Sequence, residues 1–135
     1  MPKIILCRGI PGSGKTVWSK KWALEDSEHR VRFNNDDIRN MLGEYWVPKR
    51  EWLVEMLKYH FVREAMNRNC DIVIDSMNLN PKEIKVYEKW IEDHNRFDFY
   101  LKYKLEFKNF NTPLDICIIR DSARETPIGR EVITA

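Results

Sequence analysis

Gly9, Gly14, Lys15 and Thr16 stand at the spacing G-x-x-x-x-G-K-[ST] within Gly9-Ile10-Pro11-Gly12-Ser13-Gly14-Lys15-Thr16, the pattern of a phosphate-binding loop. Glycines let the backbone fold into a nest of N–H groups around a β-phosphate without Cβ clashes. A helix opening at Thr16 aims the positive end of its dipole at the same phosphate. Lys15 then reaches the β- and γ-phosphates, and the Thr16 hydroxyl ligates Mg²⁺. Gly9, Pro11, Gly12, Ser13, Gly14, Lys15 and Thr16 are therefore the expected nucleotide site. ATP or another NTP is the expected phosphate donor, with Mg²⁺ as its companion ion.

Phosphoryl transfer also needs an acceptor held in line and a group to take its proton. Asp36 and Asp37 are adjacent carboxylates, and neighbouring residues usually point different ways, so one of them should face the site. Their alternative role is to cap the short helix expected over 37–42, since Asp is a favoured cap. Asp75 closes the apolar run Ile72-Val73-Ile74. There it could hold Mg²⁺ directly or through water, or simply anchor its loop by a hydrogen bond. Arg120 and Arg124 lie one turn apart on a helical face. They fit a lid of about 118–130 that closes on the triphosphate and stabilises transition-state charge, with a solvated basic face as the alternative. His29, His60 and His94 have no metal-ligand spacing. The five tryptophans read as core, except Trp46 in the loop after Gly43, the one worth watching as a base-stacking surface.

These residues need elements to carry them. Lys3 to Arg8 reads as a buried parallel strand, because its apolar residues run without alternation. A helix follows from Thr16 to about Leu24, with Trp18, Trp22 and Leu24 available for packing. Residues 31–34 form a short second strand. Pro48 opens a long helix whose stripe Leu53, Leu57, Phe61 and Ala65, with Met56, is expected to be core, and Asn69 is its stop. Ile72 to Ile74 is a third strand. Asn80, Pro81 and Glu83 signal a helix start, and that helix runs to about Asn95. Phe97 to Phe107 alternates apolar with polar residues and reads as one strand near a sheet edge. Thr112 and Pro113 open a last helix. The alternation of strands and helices gives an α/β class, a small parallel sheet of about four strands with helices on both faces.

The 135 residues make one domain, expected to span 1–135. Hydrophobic content of 43% and charged content of 33% exclude a disordered chain. A net charge of +2 is too mild to announce nucleic acid by itself. Cys7, Cys70 and Cys117 form no C-x-x-C pair and read as reduced, mostly buried thiols of a cytosolic protein. No apolar run is long enough to span a membrane. The first strand starts almost at residue 1, so no signal peptide is expected.

Together, the phosphate loop, Asn35-Asp36-Asp37-Ile38-Arg39, Asn78-Leu79-Asn80-Pro81 and Arg120-Asp121-Ser122-Ala123-Arg124 resemble the P-loop polynucleotide 5′-hydroxyl kinases. That family includes the kinase domains of the T-even phage kinase/phosphatases and related end-healing kinases. The resemblance spans nearly the whole chain, and its specificity lies in the combination. It implies a P-loop kinase fold and transfer of the ATP γ-phosphate to 5′-OH ends of RNA or DNA in end repair. Asp36 would be the general base, and Arg39 would bind the phosphate just 3′ of the accepting nucleoside. Asp75, Met77 and Asn78 would belong to the same acceptor side, and Arg120 and Arg124 to the donor lid. Two departures stand out. Asp75 lies one place further from Asn78 than the acid of the phage enzymes, and Met77 stands where they have Thr. The chain also stops soon after Gly129, where the family continues into a further helix. Relatives assemble, and homo-oligomerisation is left open. Two other functions share the early residues: a small-molecule kinase acting on a nucleoside, sugar or antibiotic, and a nucleotide-binding regulatory module.

Overall fold

Ile4, Ile5, Leu6 and Cys7 are all buried in the first strand, which is possible only when both faces of a sheet are covered. The structure, a computed structural model, describes residues 1–76, 80–111, 116 and 119. Met77, Asn78, Arg120 and Arg124 lie outside them, as do Cys117 and the helix expected to open at Thr112. The described order is β1 (Lys3–Arg8), α1 (Lys15–Glu25), β2 (Arg30–Phe33), α2 (Asn35–Met41), α3 (Glu51–Asn67), β3 (Asp71–Ile74), α4 (Pro81–Asn95) and β4 (Lys104–Asn109). A 3₁₀ turn, Pro48–Arg50, leads into α3.

The four strands form one parallel sheet in the order β2-β3-β1-β4. Its pleat sends Ile4 and Leu6 to one face, where they meet Val62 and Met66 of α3 and Tyr87 and Ile91 of α4. Ile5, Cys7 and Val73 point to the other face and pack on Trp22 of α1, with Trp18 and Phe110 beside them. Helices thus cover both faces, as the strand–helix alternation requires. Among the described residues, no helix is long and apolar enough to cross a membrane.

Local signals account for most boundaries. The Asn34 side chain accepts from Asp37 N at 3.0 Å and caps α2, so neither aspartate is the cap. The Asn80 side chain caps α4 through Glu83 N at 2.9 Å, with Pro81 in the first turn. At the end of α3, Asn69 takes φ 63°. Asn69 N and Cys70 N donate back to Met66 O and Ala65 O at 3.1 and 3.0 Å. That is the left-handed stop in which asparagine substitutes for glycine.

Three expectations are corrected. The buried face of α3 is Val54, Lys58, Val62, Ala65 and Met66, about one residue round from the expected stripe, and Met56 is 46% exposed. Residues 97–103 are not strand; β4 begins only at Lys104. Leu24 is exposed, and among the tryptophans Trp46 and Trp52 are exposed too.

Candidate functional site

Because every strand is parallel, the segments that leave β1, β2 and β3 emerge at one edge of the sheet, where ligands of open α/β folds collect. The phosphate loop follows β1, α2 follows β2, and Asp75 follows β3 between them.

In the loop, Gly12 and Gly14 have φ of 82° and 103°. Both lie in the left-handed region that side chains disfavour. Gly14 is also the N-cap of α1, so the first amides of that helix are turned toward the loop. At Gly9, a Cβ would sit 2.6 Å from Ser13 Oγ, 3.0 Å from Phe110 Cβ and 3.1 Å from Phe110 O, so a side chain there would have to displace Ser13 and Phe110. Lys15 is buried, and its Nζ donates to Gly9 O at 2.6 Å, which holds the ammonium across the mouth of the nest. These features fit a polyphosphate. A Mg²⁺ ion would take the Thr16 hydroxyl and nucleotide oxygens. No group of three or more His, Cys, Asp or Glu side chains forms a separate metal cage among the described residues.

Asp75 is buried to 2% exposure and held by three donors. Ser19 Oγ lies 2.5 Å and Arg32 Nε 2.8 Å from Oδ2, and Asn34 Nδ2 lies 2.7 Å from Oδ1. Arg32 also pairs with Asp37 at 2.6 Å. Burial pulls the Arg32 guanidinium down, but Asp75 and Asp37 more than offset it and hold it above its ordinary value. Burial, reinforced by the Asp75 charge, pushes the Cys7 thiol up to about 12, so this cysteine is not a nucleophile at neutral pH. Asp75 therefore anchors its loop within an ion-paired chain running Ser19–Asp75–Arg32–Asp37.

Asp36, about 100° round α2 from Asp37, makes a separate set of contacts. Its Oδ1 accepts from Arg39 Nη1 and from the Tyr45 hydroxyl, both at 2.8 Å. Glu51, in the first turn of α3, clasps the other side of Arg39. Arg39 Nη2 lies 2.5 Å from Glu51 Oε1, and Nε lies 3.2 and 3.0 Å from Oε1 and Oε2. The hydrogen bonds to Glu51 chiefly raise the Arg39 pKa above its usual value. Burial, then the bond to Asp36, pushes the Tyr45 phenol up to about 12, so it stays protonated as a donor. Trp46 lies beside this cluster, its ring centroid 5.4 Å from the Arg39 guanidinium carbon.

The structure thus brings Gly9, Gly12, Gly14, Lys15, Thr16, Asp36, Arg39 and Asp75 to the carboxyl edge of one sheet. Sequence reasoning missed Ser19, Arg32, Tyr45 and Glu51. Glu51 had one readable signal: it sits three residues past a helix-opening proline, where a carboxylate is favoured. A cavity of about 320 Å³ lined by Tyr59, Arg63, Trp90, His94, Phe97 and Tyr100, among others, lies between the carboxyl-terminal ends of α3 and α4. That is the opposite edge of the sheet, away from the phosphate loop.

Comparison with known proteins agrees with this layout. Residues 4–134 match the AAA domain family. Human NEDD4-binding protein 2 is 29% identical over 115 residues, covering 81% of this chain. A chain of the Pnkp1/Rnl/Hen1 RNA repair complex superposes with a TM-score of 0.76 at 20% identity, covering 98% of this chain and 42% of that one. A protein of Chloroflexus aurantiacus J-10-fl, assigned as a kinase, superposes with a TM-score of 0.66 at 16% identity, covering 98% of this chain and 74% of that one. The chain spans only 6% of the length of the human protein. With a match over nearly all of its residues, a phosphate loop of the required geometry and a parallel four-stranded sheet, the chain belongs to the AAA domain family and has the fold of its P-loop kinases.

Proposed function

We propose that the chain is a polynucleotide 5′-hydroxyl kinase, transferring the γ-phosphate of ATP or another NTP to 5′-OH ends of RNA or DNA. The observation that carries this reading is the joined pair Asp36 and Arg39, 2.8 Å apart, on a helix at the same sheet edge as the phosphate loop. A carboxylate able to take a hydroxyl proton thereby sits beside a cation able to take a phosphate. The kinase-like fold supports phosphoryl transfer in general; this pair supports the acceptor class. The RNA repair complex among the similar structures agrees with it.

In the reaction, Asp36 accepts the proton of the 5′-hydroxyl as that oxygen bonds to the γ-phosphorus and the bond to the β,γ-bridging oxygen breaks. Lys15 and the loop amides hold the β- and γ-phosphates, and Lys15 stabilises the charge that accumulates on them. Arg39 fixes the acceptor through its 3′-phosphate, a contact that positions without reading sequence. Mg²⁺, when bound at Thr16, neutralises phosphate charge. Arg120 and Arg124 are proposed to close over the donor, with Met77 and Asn78 beside the acceptor. The protein itself is proposed to be cytoplasmic.

One observation favours a small-molecule acceptor instead: Glu51 and Asp36 already compensate the Arg39 charge. The two readings separate on a panel of acceptors given γ-labelled ATP and Mg²⁺. Labelling of a 5′-hydroxyl oligonucleotide and a nucleoside 3′-monophosphate, with little labelling of a free nucleoside, is expected. Preferential labelling of the free nucleoside, or of a sugar, overturns the proposal.

A further inference from the structure

We propose that Trp46 is the platform on which the nucleobase of the accepting nucleotide stacks. The inference rests on the polynucleotide kinase reading and deepens it. Tryptophan is among the most buried residues on average, yet Trp46 keeps 56% of its surface exposed. Trp52 is also exposed, but Trp46 alone of the two has the Arg39 guanidinium against its ring, at 5.4 Å. A π-face beside a cation is the combination that single-stranded nucleic acid binders use for unpaired bases.

The ring is held in place rather than left on a loose loop. The preceding residue, Tyr45, is tied to Asp36, and the following one, Val47, accepts from Arg50 N at 2.9 Å. Arg50 further grips the loop through Leu42 O and Glu44 O at 3.2 and 2.6 Å. Gly43 turns the chain at φ 117°, a conformation that favours glycine.

The position selects the acceptor rather than the donor. Trp46 contacts the cluster that follows β2, whereas the phosphate loop follows β1, and β3 lies between those strands. Asp36 at the 5′-hydroxyl, Arg39 at the 3′-phosphate and Trp46 at the base would address the three parts of one nucleotide. Stacking is tolerant of base identity because every base has a π-face. An enzyme built this way would take any 5′-terminal base and would not need the strong overall basicity that a net charge of +2 rules out.

The test uses a 5′-hydroxyl oligonucleotide and the same strand with an abasic first nucleotide, each phosphorylated by the wild-type chain, Trp46→Ala and Trp46→Phe. In the wild type, removing the base is expected to raise KM roughly 5- to 100-fold. Trp46→Ala is expected to show that higher KM already with the intact acceptor and no further penalty with the abasic one. Trp46→Phe is expected to recover part of the difference. Equal abasic penalties in wild type and Trp46→Ala overturn the stacking proposal while the kinase reading stands. Failure of the wild type to label either strand overturns the kinase reading, and the stacking proposal with it.

Discussion

In the proposed reaction Lys15 and Asp36 divide the transfer between donor and acceptor, so their losses should differ in kind. Lys15→Ala removes a preorganised charge from the phosphates, and kcat is expected to fall about 10²- to 10³-fold. Asp36→Asn keeps a partner for Arg39 and Tyr45 but cannot take the proton, so a fall of about 10²- to 10⁴-fold is expected. Single-turnover transfer at saturating ATP measures both, and a Lys15→Ala or Asp36→Asn rate within about threefold of wild type would remove that residue from the chemistry. Glu51 gives a sharper test. At an effective dielectric near 20, two like charges 4 Å apart repel by about 4 kcal/mol, more than the ~2 kcal/mol of rotamer freedom Arg39 would regain. Glu51→Gln keeps an acceptor for Arg39 and removes that repulsion, so KM for a nucleoside 3′-monophosphate is expected to drop several-fold. A rise would mean that Glu51 contributes order rather than charge.

The same residues mark what sequence could and could not reveal at this scale. Lys15, Thr16, Asp36 and Arg39 were legible because each lies at a fixed offset within a short motif. Tyr45 is nine residues from Asp36, Glu51 twelve from Arg39, and Asp75 forty-three from Arg32. Those partnerships exist only once the sheet and α3 are assembled, and no local spacing encodes them. The Arg32–Asp75 pair is largely shielded from water, with side chains 12% and 0% exposed. Asp75→Ala leaves Arg32 paired with Asp37 alone and takes the acceptor from Ser19 and Asn34, so it is expected to lower stability by about 1–3 kcal/mol, read as a shifted urea midpoint.

Among the elements, legibility followed the strength of the local signal. Caps at Asn80 and Asn69 stood in the sequence as residue types with one structural use. The α3 stripe was misplaced because Lys58 is a core-facing position: it is buried to 7% exposure, its ammonium 3.3 Å from Glu55 and 5.8 Å from the Tyr87 ring. A lysine that buries its stem and pairs its tip hides a helix face from any reading by polarity. The overlong strand at 97–107 failed for another reason. Tyr100 stacks on His94 at 4.6 Å, with Phe97 and Phe99 around it, so the alternating aromatics close the end of α4 instead of lying on a pleat. Asn95 completes the turn by bonding both backbone groups of Tyr103, at 2.8 and 3.0 Å.

His94 makes this closure sensitive to pH. It is buried and its Nε2 lies 3.2 Å from Leu101 O; burial lowers its pKa more than that hydrogen bond raises it, and Lys102 lowers it further. The unfolded chain then binds a proton that the folded chain refuses. Stability is complete above about pH 6.5 and falls as pH drops from there toward the lower folded value. Thermal midpoints taken from pH 7.5 to 5 are expected to decline across that window in the wild type. His94→Gln should flatten the decline, and an unchanged slope would place the sensitivity elsewhere.

For the whole molecule, the sequence announced an α/β sheet but not its order. The order β2-β3-β1-β4 puts the loop after β3 between the phosphate loop and α2, and Asp75 fills that place with a buried charge. The chain of contacts from Ser19 to Asp37 therefore does more than hold a loop. Ser19 belongs to the helix that opens at the phosphate loop and Asp37 to the helix that carries Asp36 and Arg39, and the single side chain of Arg32 joins them, bonding Ser19 at 3.1 Å and Asp37 at 2.6 Å. A substrate that steadies α1 through these contacts is expected to steady α2 as well, and reciprocity then requires the second substrate to return the effect by the same factor. Nucleotide dissociation constants measured with and without an oligonucleotide should differ in the wild type and converge in Ser19→Ala. The two substrates of this small sheet would then bind as a cooperating pair rather than as independent guests.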